Sequence, residues 1–131
     1  MLTGCCYCGA VRIEVDDAFG YAFYCHCSRC RRRTGAACAA IGGIEIDRVR
    51  ITAGREQLLK VGESEDGYRC LCKQCYSPLF DAVREQKFAH VQLGVLDGAP
   101  TRRPDHHIFA GSKAAWHPIT DALPRFEEFP P

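Results

Sequence analysis

Cysteine is the residue type most able to do chemistry in this sequence. The chain has ten cysteines, of which nine fall in three clusters at residues 5–8 (CCYC), 25–30 (CHCSRC) and 70–75 (CLCKQC), while Cys38 stands alone. Thiolate sulfur suits zinc, and two cysteines separated by one or two residues can direct both sulfurs at one ion. The spacing therefore predicts metal sites.

The first and third clusters predict a closed site with four ligands. Cys6 and Cys8 form one pair, and Cys72 and Cys75 form a second pair from a distant part of the chain. Four thiolates satisfy the tetrahedral preference of zinc. Such a site would connect the first strand to a hairpin in the middle of the chain, and its zinc would be structural.

The middle cluster predicts a different kind of site. Cys25, Cys27 and Cys30 supply three ligands from one short loop, which leaves the fourth position of a zinc ion open. An open position is typical of catalytic zinc, where water or a substrate atom binds. His26 is an alternative fourth ligand, but its place between two ligands favours a ring that points elsewhere.

Other interpretations of the cysteines remain open at this stage. The middle cluster is also compatible with a redox or iron–sulfur site, and Cys5, Cys38 and Cys70 can pack as small apolar side chains. Disulfides would require export, yet the N-terminus lacks the basic and apolar regions of a signal peptide. We therefore expect a reducing, cytoplasmic location in which the clusters bind metal.

Four arginines surround the last cysteine of the middle cluster. They form a solvated basic face in one interpretation, whereas in the other they lower thiolate pKa values and attract an anionic substrate. On the second interpretation Arg29, Arg31 and Arg32 are the candidates for holding a carboxylate of the co-substrate. Arg33 completes the run.

The composition is that of an ordinary globular protein. The 131 residues fit one domain, 1–131, with 47% hydrophobic and 25% charged residues. A formal net charge of +1 argues against nucleic acid as the main partner. No apolar run is long enough to cross a membrane. The oligomeric state is not indicated.

The elements that position these clusters are predicted to be short strands. Residues 10–16 alternate between apolar and polar side chains, which is typical of a half-buried strand. Residues 28–34 predict one helical turn, with Ser28 as its N-cap and Gly35 ending it. Further strands are predicted at 21–25, 41–46, 49–52, 67–71, 79–82, 88–96 and 106–110. Gly42-Gly43 and Asp47 are expected to break the strands at 41–46 and 49–52, and residues 56–61 are ambiguous. The proline-rich tail is expected to form a surface strap. The sequence predicts an all-β fold.

The ordered motifs resemble the glutathione-dependent formaldehyde-activating enzyme family, also called CENP-V/GFA. The resemblance rests on residues 4–11 (GCCYCGAV), 25–31 (CHCSRCR), 35–36 (GA) and 72–75 (CKQC), with weaker likeness at 94–97, 107–108 and 113–116. It implies a β-tent fold with short antiparallel sheets stapled by zinc. It also implies structural zinc on Cys6, Cys8, Cys72 and Cys75, and catalytic-type zinc on Cys25, Cys27 and Cys30.

The resemblance further implies a carbon–sulfur lyase that joins or separates glutathione and formaldehyde as S-(hydroxymethyl)glutathione. Two zinc ions per chain are expected, with a small thiol or thiol adduct as partner and glutathione as a candidate co-substrate. A non-enzymatic zinc module that binds a protein or nucleic acid, and a scaffold in which both zinc sites are structural, are the alternatives. The chain has Tyr76 where the family usually has glycine, which should alter a turn and not the ligand set.

Overall fold

Ten strands in two sheets form the framework of the protein, in a computed structural model that describes residues 1–131. A single α-helix, α1 (Ser28–Thr34), follows the third strand. In chain order the strands are β1 (Leu2–Cys5), β2 (Arg12–Val15), β3 (Tyr21–Cys25), β4 (Ala39–Glu45), β5 (Val49–Ala53), β6 (Leu58–Val61), β7 (Tyr68–Cys72), β8 (Pro78–Val83), β9 (Phe88–Gln92) and β10 (His107–Ile108).

The two sheets are almost entirely antiparallel. The smaller sheet has the order β1-β2-β5, and the larger has the order β10-β3-β4-β9-β8-β7-β6. Only the short pairing of β10 with β3 is parallel. The prediction of an all-β fold is confirmed, and no helix in the structure is long and apolar enough to span a membrane.

The alternating strand predicted at residues 10–16 is present as β2. Ile13 and Val15 are almost fully buried, while Arg12 on the other face is exposed. With Val11 they join residues of β7, β8 and β9 in the main hydrophobic cluster of 13 buried side chains. Burial of these apolar side chains packs the two sheets together.

Three local predictions were wrong. The strand predicted at 88–96 ends at Gln92, since Leu93–Val95 form a 3-10 helix. The glycine pair does not break β4, which continues through it, because Gly42 and Gly43 leave room for the rings of Phe19 and Tyr21. The N-cap of α1 is Cys27 and not Ser28, since the Cys27 sulfur accepts a hydrogen bond from the Cys30 N–H. Gly35 ends the helix in the left-handed conformation, as predicted.

The tail beyond β10 runs alongside that strand. The His107 N–H donates to the Pro124 carbonyl, and the Phe126 N–H donates back to the His107 carbonyl, both over 2.9 Å. A second cluster of five buried residues lies where β3, β4 and β10 meet: Phe23, Cys25, Ala39, Ile41 and Ile108. These contacts form the floor beneath the middle cysteine cluster.

Candidate metal centres and the cavity beside them

Four cysteines from distant parts of the chain meet between the two sheets. The sulfur atoms of Cys6, Cys8, Cys72 and Cys75 all lie within 4.8 Å of one another. The Cys6–Cys8 and Cys8–Cys72 sulfur separations are 3.6 and 3.7 Å. A tetrahedron of sulfurs around zinc, at the usual bond length, has edges of about 3.8 Å. The donor set and its spacing therefore fit zinc.

Backbone N–H groups support these sulfurs. The Val11 N–H donates to the Cys6 sulfur over 3.3 Å, and the Gln74 N–H donates to the Cys72 sulfur over 3.4 Å. Such bonds stabilise negative charge on sulfur and so favour the thiolate form that a metal requires. Cys6 and Cys72 are buried, whereas the Cys8 side of the cluster reaches the surface.

The cysteines of the middle cluster converge as a separate group. The sulfurs of Cys25, Cys27 and Cys30 lie within 4.8 Å of one another, and neither His26 nor Cys38 belongs to this group. Cys25 ends β3, Cys27 caps α1, and Cys30 lies in the first turn of that helix. The junction between strand and helix thus brings three potential ligands together and supplies no fourth.

The electrostatics of this group favour a thiolate at Cys25. A hydrogen bond from Cys30 lowers the pKa of Cys25 to about 6, and the Arg33 guanidinium acts in the same direction. The same hydrogen bond and burial raise the pKa of Cys30. Three converging sulfurs form a donor set that fits zinc, and the thiolate form of Cys25 is the form that a metal ion requires.

The His26 ring points away from the three sulfurs. Its Nε2 lies 2.8 Å from Nδ1 of His107, and the ring is almost fully buried. Burial, followed by the nearby His107, lowers the pKa of His26 to about 4. The expectation that this ring is directed elsewhere agrees with its position.

A cavity of about 590 Å³ opens onto the three-cysteine group. The three sulfur-bearing residues form one wall, and His90 and Gln92 add polar groups. An apolar part of the lining comes from Phe23, Ile41, Ile108, Phe109 and Phe129, and a charged part from Arg29, Arg33 and Asp81. An apolar cavity with a few convergent polar groups is the usual form of a small-molecule site.

A second cavity, of about 540 Å³, adjoins the first and is strongly basic. Arg29 and Arg33 line both cavities. Arg69 and Arg84 line the second, in which the carboxylates are those of Asp66 and Asp81. Arg33 and Arg69 both lie within 4.0 Å of a carboxylate oxygen of Asp81, and the buried Arg69 Nε makes no hydrogen bond. Guanidinium N–H groups at a cavity wall are suited to an anionic ligand.

The three arginines predicted to hold a carboxylate differ in whether they line a cavity. Arg29 lines both cavities, whereas Arg31 and Arg32 line neither. Residues four apart share one face of a helix, so Arg33 accompanies Arg29 while the two arginines between them face elsewhere. This periodicity was available in the sequence. Arg69 and Arg84 carried no such signal, because strand pairing alone brings them to the cavity.

The comparisons with known proteins agree on one family. The family model for glutathione-dependent formaldehyde-activating enzyme matches residues 1–112. A Halomonas elongata protein provisionally named as such an enzyme is 31% identical over 125 residues, covering 88% of this chain and 79% of its own length. A Pyrenophora teres f. teres protein with the same provisional name is 30% identical over 123 residues, or 86% of this chain. This chain spans only 64% of that relative's length.

A solved structure supports the same relationship. The crystal structure of a Rhodobacter sphaeroides protein superposes with a TM-score of 0.60 at 27% sequence identity. The match covers 76% of this chain and 91% of the other. Because the family model covers well over half of the sequence, this chain belongs to the glutathione-dependent formaldehyde-activating enzyme family.

Proposed function

We propose that this protein is a zinc-dependent carbon–sulfur lyase acting on a thiol adduct of a small aldehyde, such as S-(hydroxymethyl)glutathione. The observation that carries the proposal is the group of Cys25, Cys27 and Cys30, which has three sulfurs, no fourth protein ligand and an adjoining cavity of about 590 Å³. This arrangement favours an enzyme over a zinc-stapled scaffold, which would need a fourth ligand.

The two cysteine groups have different roles in this proposal. Cys6, Cys8, Cys72 and Cys75 hold a structural zinc, and Cys25, Cys27 and Cys30 hold a second one. A zinc ion held by Cys25, Cys27 and Cys30 would supply Lewis acidity that favours the thiolate form of a substrate thiol. Both donor sets must stay reduced, so a reducing compartment such as the cytoplasm is part of the proposal.

The arginines orient the substrate. Arg29 and Arg33 line both the cavity of about 590 Å³ beside the three cysteines, the thiol cavity, and the cavity of about 540 Å³, the basic cavity. A carboxylate on the thiol compound can therefore bind to them while its sulfur faces the cysteines. Arg69, whose Nε lies 4.0 Å from Asp81 Oδ1, extends this basic wall. Glutathione carries both a thiol and carboxylates, so it fits a site in which a partly apolar cavity adjoins a basic one.

The reaction itself needs little rearrangement. In the forming direction, the substrate sulfur bonds to the aldehyde carbon, the thiol proton is lost, and the former carbonyl oxygen gains a proton. The reverse direction breaks the same carbon–sulfur bond. The protein residues contribute by holding thiol and aldehyde together, which converts an encounter of two molecules into a step within one complex.

Native mass spectrometry of the purified chain, with and without glutathione, tests the proposal. We expect two zinc ions per chain and a glutathione adduct, and Cys27→Ser should lose one zinc and the adduct while remaining folded. Cys38→Ser is the matched control, because this cysteine lies nearby but outside the sulfur group. Retention of the second zinc and the adduct in Cys27→Ser would refute the assignment.

A further inference from the structure

A row of three side chains leads from the surface to the back of the middle cysteine cluster. Nε2 of His107 lies 3.0 Å from both carboxylate oxygens of Asp121, and Nδ1 of His107 lies 2.8 Å from Nε2 of His26. His26 and His107 are only 1% and 4% exposed, whereas Asp121 reaches solvent. Two buried rings are therefore connected to one surface carboxylate.

The ionisation state of Asp121 determines which nitrogen atoms donate the hydrogen bonds in this row. The carboxylate of Asp121 is held ionised, since its hydrogen bond from His107 lowers its pKa, and an ionised carboxylate can only accept. Nε2 of His107 must therefore carry a hydrogen. In the neutral ring, Nδ1 of His107 then accepts from Nε2–H of His26. The Leu123 N–H donates to Asp121 over 3.0 Å and fixes the carboxylate in turn.

The inner end of the row lies between two of the three sulfur-bearing residues. Cys25 lines the thiol cavity, whereas His26 lines a separate cavity of about 150 Å³ on the opposite side of β3. Successive side chains of a strand point to opposite faces, which explains this separation. The His26 N–H also donates to the Ile108 carbonyl over 3.0 Å. The peptide between Cys25 and Cys27 is thus anchored from behind by both backbone and side chain.

We propose that Asp121, His107 and His26 act as positioning residues that fix the bend from Cys25 to Cys27 and thereby set the metal affinity of the three-cysteine group. The inference rests on the proposed function, which places a metal ion there. A group with three protein ligands has one bond fewer to hold its ion than a group with four. Its affinity therefore depends more on whether its sulfurs are already in place before the metal binds.

The test measures metal affinity and not turnover. Zinc-loaded protein is titrated with a competing chelator, the four-cysteine group serves as internal reference, and Cys27→Ser identifies which ion leaves first. We expect His26→Leu and Asp121→Ala to lower the affinity of the three-cysteine group by about tenfold, with the reference ion unaffected. His26→Gln should recover most of this loss, since its amide N–H can replace the donor to His107.

A matched control lies next to this row. Asp105 is also a surface carboxylate bonded to a histidine, with Oδ1 2.6 Å from His106 Nδ1, but it is not connected to the cysteines. Asp105→Ala should leave both zinc affinities unchanged. If His26→Leu does not fold, Asp121→Ala, at an exposed position, carries the test alone.

The results of these titrations distinguish failure of the positioning role from failure of the proposed function. Wild-type affinity of the three-cysteine group in Asp121→Ala would overturn the positioning role and leave the proposed function standing. Equal weakening of both metal groups, together with a lower Tm, would show general destabilisation and would also overturn it. A wild-type chain that binds one zinc only would refute the proposed function, and the positioning role with it.

Discussion

Tyr76 lies next to a proposed metal ligand in a backbone conformation that suits glycine. Its φ is 60°, and the residue is 65% exposed. The left-handed region costs a residue with a Cβ about 1–2 kcal/mol, and glycine gives back about 0.5–1 kcal/mol of this through the entropy of the unfolded chain. Tyr76 thus adopts the left-handed conformation that glycine favours, and the altered turn expected from the family resemblance stays a prediction.

We expect Tyr76→Gly to increase the free energy of unfolding by up to about 1 kcal/mol. Urea denaturation of the zinc-loaded protein measures this change, and zinc content should stay the same because the Cys72 and Cys75 sulfurs are untouched. A decrease in stability would mean that the tyrosine ring makes a stabilising contact in solution.

His90 is a second residue whose environment has a measurable consequence. Its Nε2 lies 2.7 Å from the Tyr21 hydroxyl, Arg84 stands nearby, and Asp81 is its register partner on β8. Burial, with a smaller effect of Arg84, lowers the pKa of His90 from 6.5 to about 4. Between these two values the unfolded chain binds the proton and the folded chain does not, so folding stability falls as the pH falls.

The expected loss between pH 6.5 and pH 4 is at most about 3 kcal/mol. His90→Gln should remove this part of the pH dependence while leaving the part that comes from acid release of metal. Urea denaturation of both proteins across this range gives the difference. Parallel curves for the two proteins would show that His90 is not held neutral by the fold.

At the scale of elements, the glycine pair in β4 leaves room for two aromatic rings to pack over the strand. A Cβ on Gly43 would lie 2.1 Å from the Tyr21 ring, and one on Gly42 would lie 2.7 Å from the Phe19 ring. The two rings therefore lie over the backbone of β4, in space that any other residue would fill. The same closeness brings the Tyr21 hydroxyl to His90, so the glycine pair helps to shape the thiol cavity.

Gly43→Ala should destabilise the protein by about 1–3 kcal/mol, because the Tyr21 ring has to move. Gly98→Ala is the matched control, since a Cβ there would meet no atom within 4 Å, and its effect should stay within about 0.5 kcal/mol. The midpoints of urea denaturation measure both changes. Equal effects of the two substitutions would contradict the role assigned to the glycine pair.

Local sequence patterns predicted a strand or a helix end well where its residues alone determine which side chains are buried or how the chain turns. The alternation in β2 and the glycine stop of α1 were visible in the sequence, because the period of two and the left-handed C-cap are local properties. The continuous β4, by contrast, depends on rings from another part of the chain that cover its glycines. The spacing of the cysteines predicted both sulfur groups. His107, however, reaches His26 through the pairing of β10 with β3, and Asp121 reaches His107 through the tail, and no local pattern encodes either contact.

At the scale of the whole molecule, the four-cysteine group connects the two sheets. Cys6 and Cys8 lie in the loop between β1 and β2 of the smaller sheet, and Cys72 ends β7 of the larger sheet. The main hydrophobic cluster lies between the same sheets and includes Cys6 and Cys72. A metal ion here would therefore hold the same interface that apolar burial stabilises, and the two contributions should be lost together.

A structural zinc contributes on the order of 10 kcal/mol to folding, which is comparable with the whole stability of a protein this size. We therefore expect Cys6→Ser to lose the ion of the four-cysteine group and cooperative thermal unfolding with it. Cys5→Ser, at the adjacent position outside the sulfur group, should keep two zinc ions and a sharp transition. Metal analysis and calorimetry of the two variants make the comparison. Cooperative unfolding of a metal-free Cys6→Ser protein, at a Tm near that of Cys5→Ser, would mean that apolar packing alone holds the two sheets together.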